Sequence, residues 1–352
     1  MARQLSYTAA VREAMQQCMA RDPNVICFGL GVDDPKRIFG TTAGLQEEFG
    51  KDRVFDMPTS ENAMTGIGIG ASLTGIRPVM VHQRLDFFLL ALEQLVNNAA
   101  KWHYMLGAED SAAITIRLIV GQGWGQGPTH SQNLHAWFAH IPGLRVVIPT
   151  NPFDAKGLLV NSIFDPNPVV FIEHRWLHNS MGEVPEALYR IPFGKARKIA
   201  AGKDLTIVST SYLTVEAVHA LEYLRAKEVH CDLIDLRSVS PVDWESISES
   251  VKKTGRLLVL DTAHCTGSFA AEIIARVCMQ QLQDLKAAPR RITFPDFPSP
   301  TSHALSRHYY PRVEHIVGAV GEMLGRDLEP GSAGAERDAP HDVPGDWFTG
   351  PF

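Results

Sequence analysis

The chain predicts an α/β fold of two three-layer α/β/α domains, the first with a mostly parallel sheet. Three observations predict it. Apolar segments of strand length alternate with segments of helical period along most of the 352 residues. A glycine-rich loop, Gly121 to Gly127, directly follows the apolar run Ile114–Val120, as loops do at the carboxyl edge of a parallel sheet where ligands bind. The alternation lapses between His174 and Lys195 into a polar stretch with Pro and Gly, the natural place for a linker, and the length suffices for two full hydrophobic cores.

In chain order, Ala10, Val11, Ala14, Met15 and Cys18 recur at helical spacing within Tyr7–Met19, and Asn24–Gly29 reads as a buried strand ending at a glycine. Phe55–Asp56 ends a short strand. A turn with Pro58 follows, then a helix starting at Ser60 with Glu61 in its first turn and small residues (Ala63, Gly66, Gly68, Gly70, Ala71) along it, so that a neighbour can come close. Arg77–His82 is a strand, Phe87–Leu106 one long helix, and Ile114–Val120 a strand. Leu144–Pro149, the helix Pro152–Phe164 and the strand Val169–Ile172 complete the first domain. In the second, strands at Asp204–Ser209, Cys231–Leu236, Arg256–Leu260 and Arg291–Phe294 alternate with helices at Leu213–Ala226, Trp244–Lys252, Ser268–Leu282 and Arg312–Leu324. The domains are placed at 1–180 and 201–325, with a linker at 181–200. From Arg326 on, Gly, Pro, Asp and Glu without apolar period predict a mobile tail over 326–352.

Composition narrows the function. With 45% hydrophobic and 20% charged residues and a net charge of −6, the chain lacks the basic surface of a nucleic-acid binder. Its longest apolar runs fall far short of the roughly 20 residues of a membrane span. The N-terminus carries no signal core or transit pattern, so a cytoplasmic protein is expected. Five scattered cysteines, with no CxxC pair, read as reduced thiols.

Each chemical candidate has a plain structural reading beside it. Glu61 in a first helical turn is favoured by the dipole and the free N–H groups, so capping accounts for it without chemistry. Gly121–Gly127 lacks a GK[ST] ending and Gly66–Gly70 does not complete GxGxxG, so neither supports nucleotide binding. His130, His135 and His140, five apart, do not gather on one helical face for a metal. His130, at the end of the glycine-rich loop, is either a catalytic imidazole or an ordinary loop histidine. Phe87 fits a core role, and Asp165–Pro166–Asn167–Pro168 a turn.

Taken together these stretches resemble the β subunit of the E1 component of 2-oxo acid dehydrogenases, thiamin-diphosphate enzymes related to transketolase. The resemblance is carried by Phe55-Asp56-Met57-Pro58-Thr59-Ser60-Glu61, Asp86-Phe87, Gln94 to Lys101, His130-Ser131-Gln132, Pro142 to Val147, Asp154 to Leu159, Asn167 to Val170, Pro192 to Ala196 and Asp235 to Asp243. It implies a pyrimidine-binding domain followed by a transketolase C-terminal-like domain. It also implies that Glu61 hydrogen-bonds N1′ of the cofactor's aminopyrimidine, favouring the tautomer that deprotonates the thiazolium carbon. Phe87 matches the aromatic stacked on that ring, and His130 the imidazole that binds or protonates the substrate oxygen. Backbone carbonyls near Asp165 and Asn167 match a potassium site of some relatives.

The family seats the diphosphate through Mg²⁺ on a Gly-Asp-Gly motif, and this chain contains none. An α subunit carrying that motif is therefore expected, in an α₂β₂ heterotetramer that a lipoyl-bearing E2 can serve. The sequence departs from the family before the stacking aromatic, where it reads Val81-His82-Gln83-Arg84-Leu85. His82 and Arg84 become candidates for the substrate pocket, Arg84 because a guanidinium pairs with carboxylate or phosphate, although a salt bridge to a neighbour explains it equally. Trp124 is placed as a wall of the same pocket. Three readings stand: an E1 β subunit, half of a split transketolase-like enzyme acting on an aldehyde or keto sugar, and a scaffold subunit, which would be expected to lack Glu61 or Phe87.

Overall fold

The computed structural model describes residues 3–34, 36, 38–334 and 341–345. The chain divides into two compact units, one from Met1–Gln122 and Thr129–Phe193, the other from Gly123–Pro128 and Gly194–Phe348. In the first, strands Arg145–Val147, Val169–His174, Thr115–Val120, Arg77–His82, Val25–Gly29 and Val54–Asp56 lie side by side in that order. All are parallel, with Thr115 opposite Val169 and Val25 opposite Arg77. The central strands read as continuous apolar runs because helices cover both faces.

Helix Tyr7–Arg21 is capped by Ser6, whose hydroxyl accepts from the Ala9 N–H at 3.1 Å. Helix Pro152–Ile163 starts likewise, with the Asn151 side chain accepting from the Asp154 N–H. Helix Glu61–Ser72 lies close on the sheet: a Cβ at Gly68 would stand 2.9 Å from Phe28 and 3.0 Å from Ile114. The small residues of this helix therefore serve close packing on sheet side chains.

The segment expected as a single helix from Phe87 to Leu106 is divided into Leu85–Phe88, a tight turn Leu89–Ala91, a widened turn Gln94–Ala99 and Ala100–Met105. The widened turn carries a polar chain in which Asn98 donates to Gln94 and Gln94 to Asn62, tying it to the Glu61 helix. The expected linker also holds structure. Met181–Val184 pairs antiparallel with Arg3–Ser6, a strand too short and polar to register in the sequence pattern.

The second unit has strands Arg290–Phe294, Leu257–His264, Leu205–Ser209, Cys231–Asp235 and Arg197–Ala200 in that order, the last antiparallel and the others parallel. Helices Tyr212–Ala226 and Val313–Leu324 bury Leu213, Ala217, Ile316 and Val320 against it. The segment after Arg326, expected to be mobile, is docked where it is described. Arg312, buried and bonded to Glu216 at 2.9 Å, also donates to the carbonyls of His341 and Val343. Asp342 pairs with His303 at 2.6 Å. A guanidinium has more donors than one carboxylate can accept, and the Tyr212 hydroxyl and the tail carbonyls accept from others. Residues 335–340 and 346–352 lie outside the described residues.

Candidate active site

In the first unit the candidate residues gather where parallel strands end. Beyond Gly29 the chain runs through Gly31 to Phe39; beyond Asp56 it reaches Glu61; beyond His82 come Gln83 to Phe87; His130 lies beyond Val120, and Arg175 directly follows His174. This carboxyl edge is the ligand-binding edge of open α/β sheets. Asp56 ties the first two segments together, its carboxylate accepting from the N–H groups of Gly31 at 2.9 Å and Val32 at 2.6 Å. Gly31 has φ of +79°, and a Cβ there would stand 2.0 Å from the Gln83 side chain. Glycine is the residue that passes there.

Glu61 is the first residue of its helix and is 8% exposed, and its carboxylate has no hydrogen-bond partner among the described residues. The N-cap Ser60 makes no side-chain cap bond either. Phe87 stands edge-on to His130, ring centroids 5.4 Å apart at 86°. The pair is held by Asp86, whose carboxylate accepts from the Gln132 backbone and side chain at 3.3 and 2.8 Å, clamping the His130 loop to the Phe87 segment. Its second oxygen is buried without a partner among the described residues. Burial raises the Asp86 carboxyl above the usual range, against the Gln132 bonds and the nearby His130.

A cavity of about 270 Å³ opens beside this pair, lined among others by Arg84, Phe39, Gln83, Phe87 and His130. Arg84 is 3% exposed, donates to the Gln83 carbonyl at 2.7 Å and lies 5.2 Å from the Phe39 ring centroid. Arg175, 4% exposed, lies 4.6 Å from the same ring.

Four other sequence candidates fall elsewhere. His82 is fully buried, packs edge-on against Phe88 at 5.1 Å and has no bond at either ring nitrogen among the described residues. Burial drives it down to about 3, so the ring is neutral and belongs to the core, not to a substrate pocket. Trp124 has φ of +53° and is 48% exposed; it is not among the residues lining the cavity and belongs to the loop grouped with the second unit. Asp165 and Asn167 lie just before strand Val169–His174, at the amino edge of the sheet. There the carbonyls of Ile163 and Asp165 accept from Arg77 at 3.2 and 3.4 Å, and the Asp165 carboxylate from Arg145 and Asn167. The turn already holds a cation, a guanidinium. Among the described residues no three His, Cys, Asp or Glu side chains cluster to hold a metal.

Sequence reasoning missed Asp86 as a clamp, and Phe39 and Arg175 altogether. The signal for Asp86 was its place beside Phe87; Phe39 and Arg175, 136 positions apart, gave none.

Comparison with known proteins identifies the family. Residues 3–180 match the family described as transketolase, pyrimidine binding domain, and residues 194–316 the transketolase C-terminal domain. The chain is 40% identical to the β subunit of acetoin:2,6-dichlorophenolindophenol oxidoreductase from Cupriavidus necator, over 92% of this chain and 98% of that protein. It is 38% identical to the pyruvate dehydrogenase E1 component subunit beta of Rhizobium meliloti, over 90% of this chain and 69% of that one. A solved split-gene transketolase, an inactive β4 tetramer, shares the fold with a TM-score of 0.73 at 20% identity, covering 91% of this chain and 98% of that chain. The chain belongs to the transketolase-like family of thiamin-diphosphate-dependent E1 β subunits.

Proposed function

We propose that this chain is the cytoplasmic β subunit of a thiamin-diphosphate-dependent enzyme that cleaves a 2-oxo acid and passes on the acyl group, with its active site completed by an α subunit. The observation that carries the reading is Glu61, 8% exposed and first in its helix, with its carboxylate unbonded among the described residues, on the same sheet edge as the Phe87–His130 pair. These residues fit the pyrimidine half of the cofactor. A flat heteroaromatic ring packs on Phe87, and a ring nitrogen supplies the partner that Glu61 lacks. They do not fit the diphosphate, because the chain has no Gly-Asp-Gly and no carboxylate cluster among its described residues, so Mg²⁺ and diphosphate are assigned to the α subunit in an α₂β₂ assembly. No step is assigned to potassium, since the Asp165 turn already faces Arg77.

When bound, thiamin diphosphate supplies the carbon nucleophile and electron sink that a 2-oxo acid needs for decarboxylation. Glu61 would form the hydrogen bond to the pyrimidine nitrogen from the first turn of its helix. Phe87 fixes the plane of the ring. His130, kept against Phe87 through the Asp86–Gln132 clamp, donates or accepts a proton at the substrate oxygen. A transketolase-like acceptor reaction has one observation in its favour, the buried Arg84 in the cavity, which suits an anionic substrate. Against the scaffold reading stands the presence of both Glu61 and Phe87.

The test is dye-coupled oxidation of 2-oxo acids by this chain co-purified with a partner bearing Gly-Asp-Gly. Glu61→Gln is expected to lower turnover by about 10²–10⁴-fold while the pair still co-purifies. Full turnover by the variant would remove Glu61 from the mechanism.

A further inference from the structure

The ring of Phe39 is held by three side chains from beyond two other strands of the first sheet. The guanidiniums of Arg84 and Arg175 lie 5.2 and 4.6 Å from its centroid, and the His178 ring is tilted against it at 5.9 Å. All three are more than nine-tenths buried. Phe39 has φ of +57° and Ile38 before it +50°, two successive residues in the left-handed region that bulky side chains occupy only when their surroundings hold them there. Backbone and packing together make the ring a fixed wall and not a flap. Phe39 lines the 270 Å³ cavity that Phe87 and His130 share. Among the described residues two other apolar side chains line it: Phe87, given above to the cofactor ring, and Ile38, which is only 2% exposed. Phe39 is half-buried, which leaves its ring as the apolar surface open to the substrate's own side chain.

Building on the function proposed above, we infer that Phe39 is a specificity-determining residue: its ring walls the space that receives the side chain of the 2-oxo acid and restricts the enzyme to acids with short side chains. The cavity volume of about 270 Å³ lies below the roughly 300–1,000 Å³ of sites that hold drug-sized ligands. Whatever surface an α subunit adds, this wall is built by this chain's own residues. A side chain long enough to meet the ring has to push it against Arg84, Arg175 and His178, and a close-packed interior yields little. In an apolar pocket each methylene that fits or fails to fit changes transition-state binding by about 10–200-fold, so the position of one ring is enough to set a length limit.

The test uses the assembled, cofactor-loaded pair and the unbranched series pyruvate, 2-oxobutyrate, 2-oxopentanoate and 2-oxohexanoate, with kcat/KM read for each. The wild type is expected to lose about 10-fold or more per methylene once the side chain reaches the ring. Phe39→Ala is expected to raise the ratio of 2-oxohexanoate to pyruvate by about 10-fold or more, and Phe39→Leu to raise it by less in the same direction. Both substrates are read on one preparation, so a general loss of stability or of cofactor cancels from that ratio. Equal turnover of the whole series by the wild type, or an unchanged ratio in both variants, overturns the wall. If Phe39→Ala does not assemble, Phe39→Leu decides alone; failure of both to assemble makes the ring a structural support and overturns the assignment. Failure of the wild-type pair to bind thiamin diphosphate or to act on any member of the series would instead remove the function proposed above, and the wall with it, so the two failures are distinguishable.

Discussion

Glu61, Phe87 and His130 were legible in the sequence because each sits in a short motif whose residues are neighbours along the chain. Arg175 and Phe39 were not, since their association with Arg84 exists only once separate strands lie side by side. His82 was misplaced for a related reason: position in a motif does not say which way a strand residue points, and this one is turned into the core. That burial has a measurable consequence. The folded His82 and His174 both sit at about 3, below the ordinary histidine value of 6.5, so the unfolded chain takes up their protons first as pH falls. Their contribution to stability is therefore full above about pH 6.5 and is lost progressively toward pH 3. His82→Leu is expected to flatten the slope of unfolding free energy in that window by about 1.4 kcal/mol per pH unit, read by urea unfolding at stepped pH. An unchanged slope would mean that His82 is hydrated in the native state. Phe87→Ala addresses cofactor packing directly and is expected to weaken thiamin diphosphate binding to the assembled pair by about 0.5–1.5 kcal/mol beyond the lost contact area. Unaltered affinity would take Phe87 out of the cofactor site.

Among the elements, strands and helices with clear periodicity fell where the pattern put them, as with Thr115–Val120 and Pro152–Ile163. The departures share one cause, namely stabilisation by partners distant in sequence. Arg3–Ser6 is a strand only because Met181–Val184 pairs with it, and residues 341–345 are held by Arg312 and His303. Two elements carry testable energetics. In the helix Glu61–Ser72, Gly68→Ala gains about 1 kcal/mol of helix propensity but drives a methyl into Phe28 and Ile114, a clash worth about 1–3 kcal/mol. A net loss of thermal stability is expected; a gain would show that the helix rides further from the sheet. At the strand pair Thr115–Val120 and Val169–His174, the fully buried Arg117–Glu173 bridge at 2.6 Å joins neighbouring strands. Burial alone would raise Glu173, but Arg117 and His178 hold its carboxyl down at about 2. Arg117→Met removes the guanidinium from that buried charge, leaving His178 beside it, and is expected to cost about 3–5 kcal/mol in denaturant unfolding. A cost under 1 kcal/mol, of the order of a surface pair, would show that water reaches Glu173.

For the whole molecule, the central claim is that this chain holds half of an active site. On the side proposed for the flat ring stand Glu61, unbonded among the described residues, Phe87 and His130 edge to face, and a cavity with Arg84 in its wall. The sequence carries no Gly-Asp-Gly, and that is readable because metal ligation needs specific side chains at fixed spacing. The geometry around Arg84 could not be read that way, because stacking on an aromatic ring imposes no spacing along the chain. The most direct test is calorimetric titration of thiamin diphosphate with Mg²⁺ into this chain alone and into its complex with a subunit bearing Gly-Asp-Gly. Saturable binding by the complex, with none by the lone chain, is the predicted result. Tight binding by the lone chain would contradict it and place a complete diphosphate site within these residues.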